Sequence, residues 1–218
     1  KLRPKKVSEF KTHEELRQEI INAVRTYTEE RNRGTITDFN KELFDPNNSF
    51  ARIGKGSLGG KARGLGFINT MINSQKIRHK FEDVEISVPS AVVIATDVFD
   101  QFLEENHLVS LAYSDADDRE LMNKFINAKK FPFDVIKKLN EFLEIVHEPL
   151  AVRSSSLLED SQFQPFAGVY QTYMIPNNHS DPVVRLNQLL DCIKSVYAST
   201  FFRKAKDYMK ATAYRLEE

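Results

Sequence analysis

Apolar residues recur at three- and four-residue steps in THEELRQEIINAVRTYTEERNRG, where Leu16, Ile20, Val24 and Tyr27 share one face. That spacing predicts an amphipathic helix. Thr12 followed by Glu15 has the form of a capping box, and Gly34 suits a C-terminal stop. The helix is expected to dock on the domain or link it to something upstream, with its charged face in solvent. Residues 35–53 show no such period, contain the turn signal DPNN and read as loop. Helical spacing returns at Leu65, with Ile68, Met71 and Ile72. VEISVPSAVVIATDVFDQFLEEN reads as a strand flowing into a helix. Val92, Val93 and Ile94 are β-branched, and Thr96 stands as N-cap to a helix carrying Val98, Phe99, Phe102 and Leu103. Residues 115–147 read as helical with a break at Phe131-Pro132. PLAVRS reads as a short buried strand and FAGVYQTYMI as another. Asp181-Pro182 is a cap with proline at the first helical position, starting a helix to Ser199, and FFRKAKDYMKATAYRLEE continues helically. Few strands among many helices in mixed order predict an α+β or α/β fold.

Composition narrows the function classes. The 218 residues are 41% hydrophobic and 28% charged, as in a water-soluble globular protein. The formal charge is zero, from 31 basic and 31 acidic side chains. No basic excess supports nucleic-acid binding, and no apolar run reaches a membrane span. Neither partner is expected. Cys192 is the sole cysteine, so no intrachain disulfide forms and a reducing, cytoplasmic setting is expected. Its helical spacing reads as a buried structural thiol. The chain begins at Lys1 without a methionine, as a piece of a longer protein would.

The chemistry concentrates in two places. Six of the eight glycines lie between Gly54 and Gly66, just ahead of a helical pattern, with Lys61 and Arg63 among them. Backbone N–H groups in such a loop converge on anions, and a helix N-terminus adds partial positive charge. The loop is not a Walker A motif, because Gly60-Lys61 is followed by alanine and Lys55 stands where the first glycine belongs. Gly54-x-Gly56-x-x-Gly59 fits a dinucleotide pattern, yet FARI before it is a poor strand for that context. A flexible glycine loop and an anion loop of another type stay open beside it. The second place is PLAVRSSSLLEDSQFQPFAG, where Arg153 ends an apolar run and is followed by three serines and Glu159-Asp160. From the residues alone, Arg153 serves a phosphate or an ion pair with Glu159 or Asp160. Glu159-Asp160 read equally well as a solvated loop. His147-Glu148 lacks the second histidine of a zinc helix, and no histidine is placed to activate the serines as a hydrolase.

Read together, four segments carry a family resemblance. GGKARGLGFI resembles the glycine-loop signature of the phosphoenolpyruvate synthase and pyruvate phosphate dikinase family. VPSAVVIATDVFDQFL, AVRSSSLLEDSQFQPFAGVYQTYMIPN and CIKSVYASTFFRKAKDYM are similar to its next three motifs, in the same order, over residues 54–210. The resemblance implies the first part of an ATP-grasp-like nucleotide-binding domain at 36–218, preceded by a helix and linker at 1–35. It implies a phosphotransferase that splits ATP, phosphorylates a histidine of a separate domain and makes phosphoenolpyruvate from pyruvate. ATP and magnesium are the implied cofactors, with the metal ligands outside this chain. Pyruvate and the phosphohistidine domain are the implied partners, and a homodimer is compatible with it. Lys61 and Arg153 match the family's phosphate-binding lysine and arginine, in catalytic and nucleotide-binding roles. Gly168 and Thr172 match positions lining the nucleotide, Lys204 stands at a late arginine, and Glu159-Asp160 match an acidic pair. The chain departs from the pattern at Ser90-Ala91, at Val169 and Gln171, and at Lys204, where lysine carries the charge without the bidentate fork. As an isolated piece it is expected not to turn over. The alternatives are an ATP-binding module of a dikinase for another acceptor, or a degenerate domain kept for protein interaction.

Overall fold

The N-cap bond of the expected capping box forms at Thr12. Helix α1 (His13–Asn32) opens with the Glu15 N–H donating to Thr12 Oγ1 at 3.1 Å. In the computed structural model, residues 10, 12–32, 36–47, 49–75, 77–156 and 168–211 are described. Gly34 lies outside them.

Three short strands, β1 (Thr37–Asp38), β2 (Phe50–Ile53) and β3 (Ala91–Ile94), form a parallel sheet with β2 in the centre. Ala51 pairs with Thr37 on one side and Val92 on the other. This corrects the reading of 35–53 as loop. FARI is a strand, with Phe50, Ala51 and Ile53 buried. Four residues are too few to display a period, and the pairing that makes them a strand comes from β3, far along the chain. Parallel neighbours need a crossover, and α2 (Gly59–Ser74) supplies it between β2 and β3. The helix begins at Gly59, six residues before the apolar period sets in at Leu65. Gly66 is buried inside it, where a Cβ would stand 3.0 Å from Ile36 Cδ1.

Helix α3 (Thr96–Glu105) follows β3 directly, but its N-cap is Ala95 and Thr96 is its first helical residue. Helices α4 (Val109–Ala112), α5 (Asp118–Ile126) and α6 (Phe133–Ile145) come next, with the break at Phe131-Pro132 as expected. Asp117 caps α5 by accepting from Arg119 and Glu120 N–H. The strands β4 (Leu150–Arg153) and β5 (Thr172–Ile175) pair antiparallel, and α7 (Pro182–Ser199) and α8 (Arg203–Ala211) complete the fold. Asp181 accepts the Val183 N–H at 2.8 Å, so α7 starts and stops where the sequence indicated. The class is mixed α and β, with helices dominant.

The core lies among α3, α5, α6 and α7. Phe102, Leu121, Phe125, Val135 and Leu143 are almost fully enclosed, and each such side chain contributes about 1.5–3 kcal/mol by leaving water. Strand β4 is half-buried rather than buried: Leu150 and Val152 pack on the core, while Ala151 and Arg153 are exposed. Arg185 on α7, only 6% exposed, fixes one end of this two-stranded ribbon, where β4 begins and β5 finishes. Its guanidinium donates to Leu143 O, Val146 O and Asn177 Oδ1 at 2.7–3.0 Å, and Asn177 donates on to Val146 O and Glu148 O. The chain entering β4 and the chain leaving β5 are therefore tied to one buried side chain.

Candidate functional site

The glycine loop between β2 and α2 is held at two points, by different partners. In its first half, the Lys55 and Gly56 N–H groups donate to the two carboxylate oxygens of Asp97, at 2.8 and 3.0 Å. Ser57 N–H donates to Thr96 Oγ1 at 3.0 Å, and Thr96 N–H returns a bond to Ser57 O at 3.0 Å. Glycine is required for this approach: a Cβ at Gly54, whose φ is +98°, would stand 2.5 Å from Asp97 Oδ1, and one at Gly56 would stand 2.6 Å from the Asp97 nitrogen. Partial desolvation pushes the Asp97 carboxyl up. The N–H donors of Lys55, Gly56 and Val98 outweigh it and hold its pKa below the ordinary value. The anion in this half of the loop is thus the chain's own. FARI is a strand and β2, α2 and β3 supply the βαβ context, yet the dinucleotide reading loses two of the amides it needs.

The second half of the loop meets the end of β4. Ser155 Oγ accepts the Ala62 N–H at 2.9 Å and donates to Leu58 O at 2.8 Å. Leu58, the N-cap position of α2, offers no side chain of its own for this purpose, so a serine 97 residues away caps the helix. The backbones touch here. Gly59 has φ +74°, and a Cβ on it would fall 1.3 Å from Ser155 O. This contact joins two segments that stand far apart in the sequence. Lys61 precedes Ala62 in the first turn of α2, and Arg153 is two residues before Ser155. Arg153 is exposed, faces Thr172 across the ribbon, and makes no ion pair among the described residues. Glu159 and Asp160, the alternative partners, lie outside those residues.

Residues 55–218 match the family model described as pyruvate phosphate dikinase, AMP/ATP-binding domain. The chain belongs to that family. Comparisons with curated proteins and with solved structures give no match. The matched span begins inside the glycine loop and contains every residue of the site but Gly54. A domain of this dikinase family binds ATP, and the donors present suit a polyphosphate. They are a helix N-terminus in close contact with a strand end, a guanidinium on an exposed face and a lysine in the first helical turn.

The remaining residues singled out by the resemblance fall into a second group. Gly168 has φ +71°, and its carbonyl accepts from Lys204 Nζ at 2.8 Å. Val169, one of the departures noted from the resemblance, is buried with Ala205 and Met209 of α8. The Gln171 N–H donates to Ser199 Oγ at 3.1 Å. The structure thus brings Gly168 to Lys204 and Arg153 to Thr172. Cys192 is half-buried on α7; burial first and Asp191 second push its thiol pKa up, which suits a packed thiol. Among the described residues no group of three or more His, Cys, Asp or Glu is placed to hold a metal ion, and no helix is long and apolar enough to cross a membrane. Sequence reasoning missed Asp97. The signal available was its place, an acid in the first turn of a helix that follows a strand.

Proposed function

We propose that this chain binds the phosphates of ATP between the first turn of α2 and the end of β4, as the nucleotide-binding part of a phosphoenolpyruvate synthase-like phosphotransferase. The observation that supports it is the Ser155 contact, which puts the segment of Lys61 beside the segment of Arg153. Phosphoryl transfer depends mainly on positioning and on neutralising charge. In this reading Arg153 takes two phosphate oxygens with its fork, Lys61 supplies a point charge, and the N-terminus of α2 supplies oriented amides. Thr172 lies across from Arg153 on the same exposed face, and the Gly168–Lys204 pair shapes the approach to it. Residues 36–218 form the ATP-grasp-like unit and residues 1–35 its leader helix and linker. The phosphoryl group passes to a histidine of another domain and then to pyruvate. Magnesium would offset phosphate charge, but the described residues do not assemble a site for it, and no step here is assigned to the metal.

Calorimetric titration of the full-length protein with Mg-ATP, wild type against Arg153→Ala, tests the site. Loss of a charge-assisted contact of about 1.5–3 kcal/mol predicts an affinity about 10- to 150-fold weaker. Equal affinities would remove Arg153 from the site. The isolated 218 residues are expected to show no pyruvate-dependent ATP cleavage, and measured turnover would refute that. The departure at Val169 is accounted for by packing against α8, so it does not by itself favour a domain kept only for protein interaction.

A further inference from the structure

Asp97 has no part in the proposed ATP site, yet its carboxylate engages two amides of the glycine loop. We propose that Asp97 is a positioning residue, whose carboxylate locks the first half of the glycine loop and confines phosphate binding to the second half, at Gly59–Lys61. The proposal rests on the ATP reading of the site.

The geometry carries it. Both carboxylate oxygens are engaged, one on Lys55 N–H and one on Gly56 N–H. Thr96 beside it holds Ser57 in both directions, through its hydroxyl and its own N–H. Four hydrogen bonds therefore zip residues 55–57 to the first turn of α3, with Gly54 and Gly56 bare of side chains to admit the carboxylate. Charge adds a second effect. A phosphate approaching residues 54–57 meets amides already occupied and a negative carboxylate, and like charges repel. Beyond Leu58 the Gly59 and Ala62 N–H groups also have partners, Ser57 Oγ and Ser155 Oγ, but these are neutral hydroxyls, the α2 N-terminus and Lys61 are positive, and Arg153 lies beyond the Ser155 contact. Asp97 thus fixes the loop in shape and directs the phosphates toward Lys61 and Arg153.

The test uses the full-length protein with Asp97→Ala and the near-isosteric Asp97→Asn. Affinities for ATP and for adenosine are measured by calorimetry, and backbone exchange at Lys55 and Gly56 is followed by hydrogen–deuterium exchange without nucleotide. Asp97→Ala is expected to bind ATP about tenfold more weakly, because the loop loses its fixed shape, with adenosine unchanged. Asp97→Asn, which keeps one acceptor oxygen, should fall between wild type and alanine. Exchange at Lys55 and Gly56 should speed up in both. An equal loss for ATP and adenosine would reveal a general structural role and overturn the proposal, as would unchanged exchange at the two amides. Wild type that fails to bind ATP overturns the reading of the site and this proposal with it. Wild type that binds ATP, with Asp97→Ala binding equally well, overturns this proposal alone.

Discussion

Two identical substitutions, five residues apart in one helix, should have opposite signs. Gly59→Ala places a methyl where the Ser155 carbonyl oxygen already is, 1.3 Å from the ideal Cβ. An ordinary contact needs about 3.5 Å, so α2 and the end of β4 must separate. That costs the two hydrogen bonds of the Ser155 hydroxyl, about 0.5–1.5 kcal/mol each. The φ of +74° adds about 1–2 kcal/mol for a residue with a Cβ. The sum is a loss of roughly 2–5 kcal/mol. Gly64, by contrast, lies inside α2 with nothing within 4 Å of its ideal Cβ. There alanine only lowers the entropy of the unfolded chain and favours helix, a gain of about 0.5–1 kcal/mol. Urea unfolding of this chain followed by circular dichroism reads both. ATP affinity should fall with Gly59→Ala and hold with Gly64→Ala. If Gly59→Ala unfolds at the wild-type midpoint, the contact between the glycine loop and β4 is not what holds the site together.

Arg185→Leu should cost about 3 kcal/mol or more in the same unfolding assay, because it strips a buried donor from Leu143 O, Val146 O and Asn177; a loss under 1 kcal/mol would show that these groups find other partners. Tyr197→Phe should stabilise by about 1 kcal/mol, since the Tyr197 hydroxyl is buried and has no partner among the described residues; destabilisation would indicate a bond to the hydroxyl. The pKa of Asp97 is held below its ordinary value of 3.8, so its contribution is complete above that value and is lost as pH falls through the depressed one. Acid unfolding of Asp97→Asn should therefore depend less steeply on pH below 4 than that of wild type, and parallel curves would refute the sign.

What was legible in the sequence depended on whether the signal was local. The start of α7 could be read because Asp181 and Pro182 act on their immediate neighbours. The two-stranded ribbon was legible as strands but not as half-buried, because alternation over Leu150–Arg153 is only two cycles long. The start of α2 was not legible, since glycine disfavours helix and the segment's helicity is supported by Ser155, remote in sequence. Strand β2 was missed for a related reason: its four residues gain their structure from pairing with β3. For the site, Lys61 and Arg153 were singled out by residue type and place. Ser155 could not be told from Ser154 or Ser156, because only the close approach of Gly59 gives one serine of the three its special role.

The departures from the family pattern at Val169 and Lys204 acquire a common physical meaning. Three successive points of the chain entering β5 are held by the last two helices. The Gly168 carbonyl is held by Lys204, the Val169 side chain lies against Ala205 and Met209, and the Gln171 N–H donates to Ser199 Oγ. Thr172 follows at once and pairs with Arg153. A long polar side chain at 169 would be carried into the apolar cluster with Ala205 and Met209, and burying an amide without a partner is costly. Valine at 169 is therefore matched to the small Ala205 beneath it. Lysine at 204 is matched to a single carbonyl acceptor, a task for a point-like ammonium rather than a fork. In this chain α8 belongs to the structural support of the ribbon, and the placing of Arg153 and Thr172 depends on it.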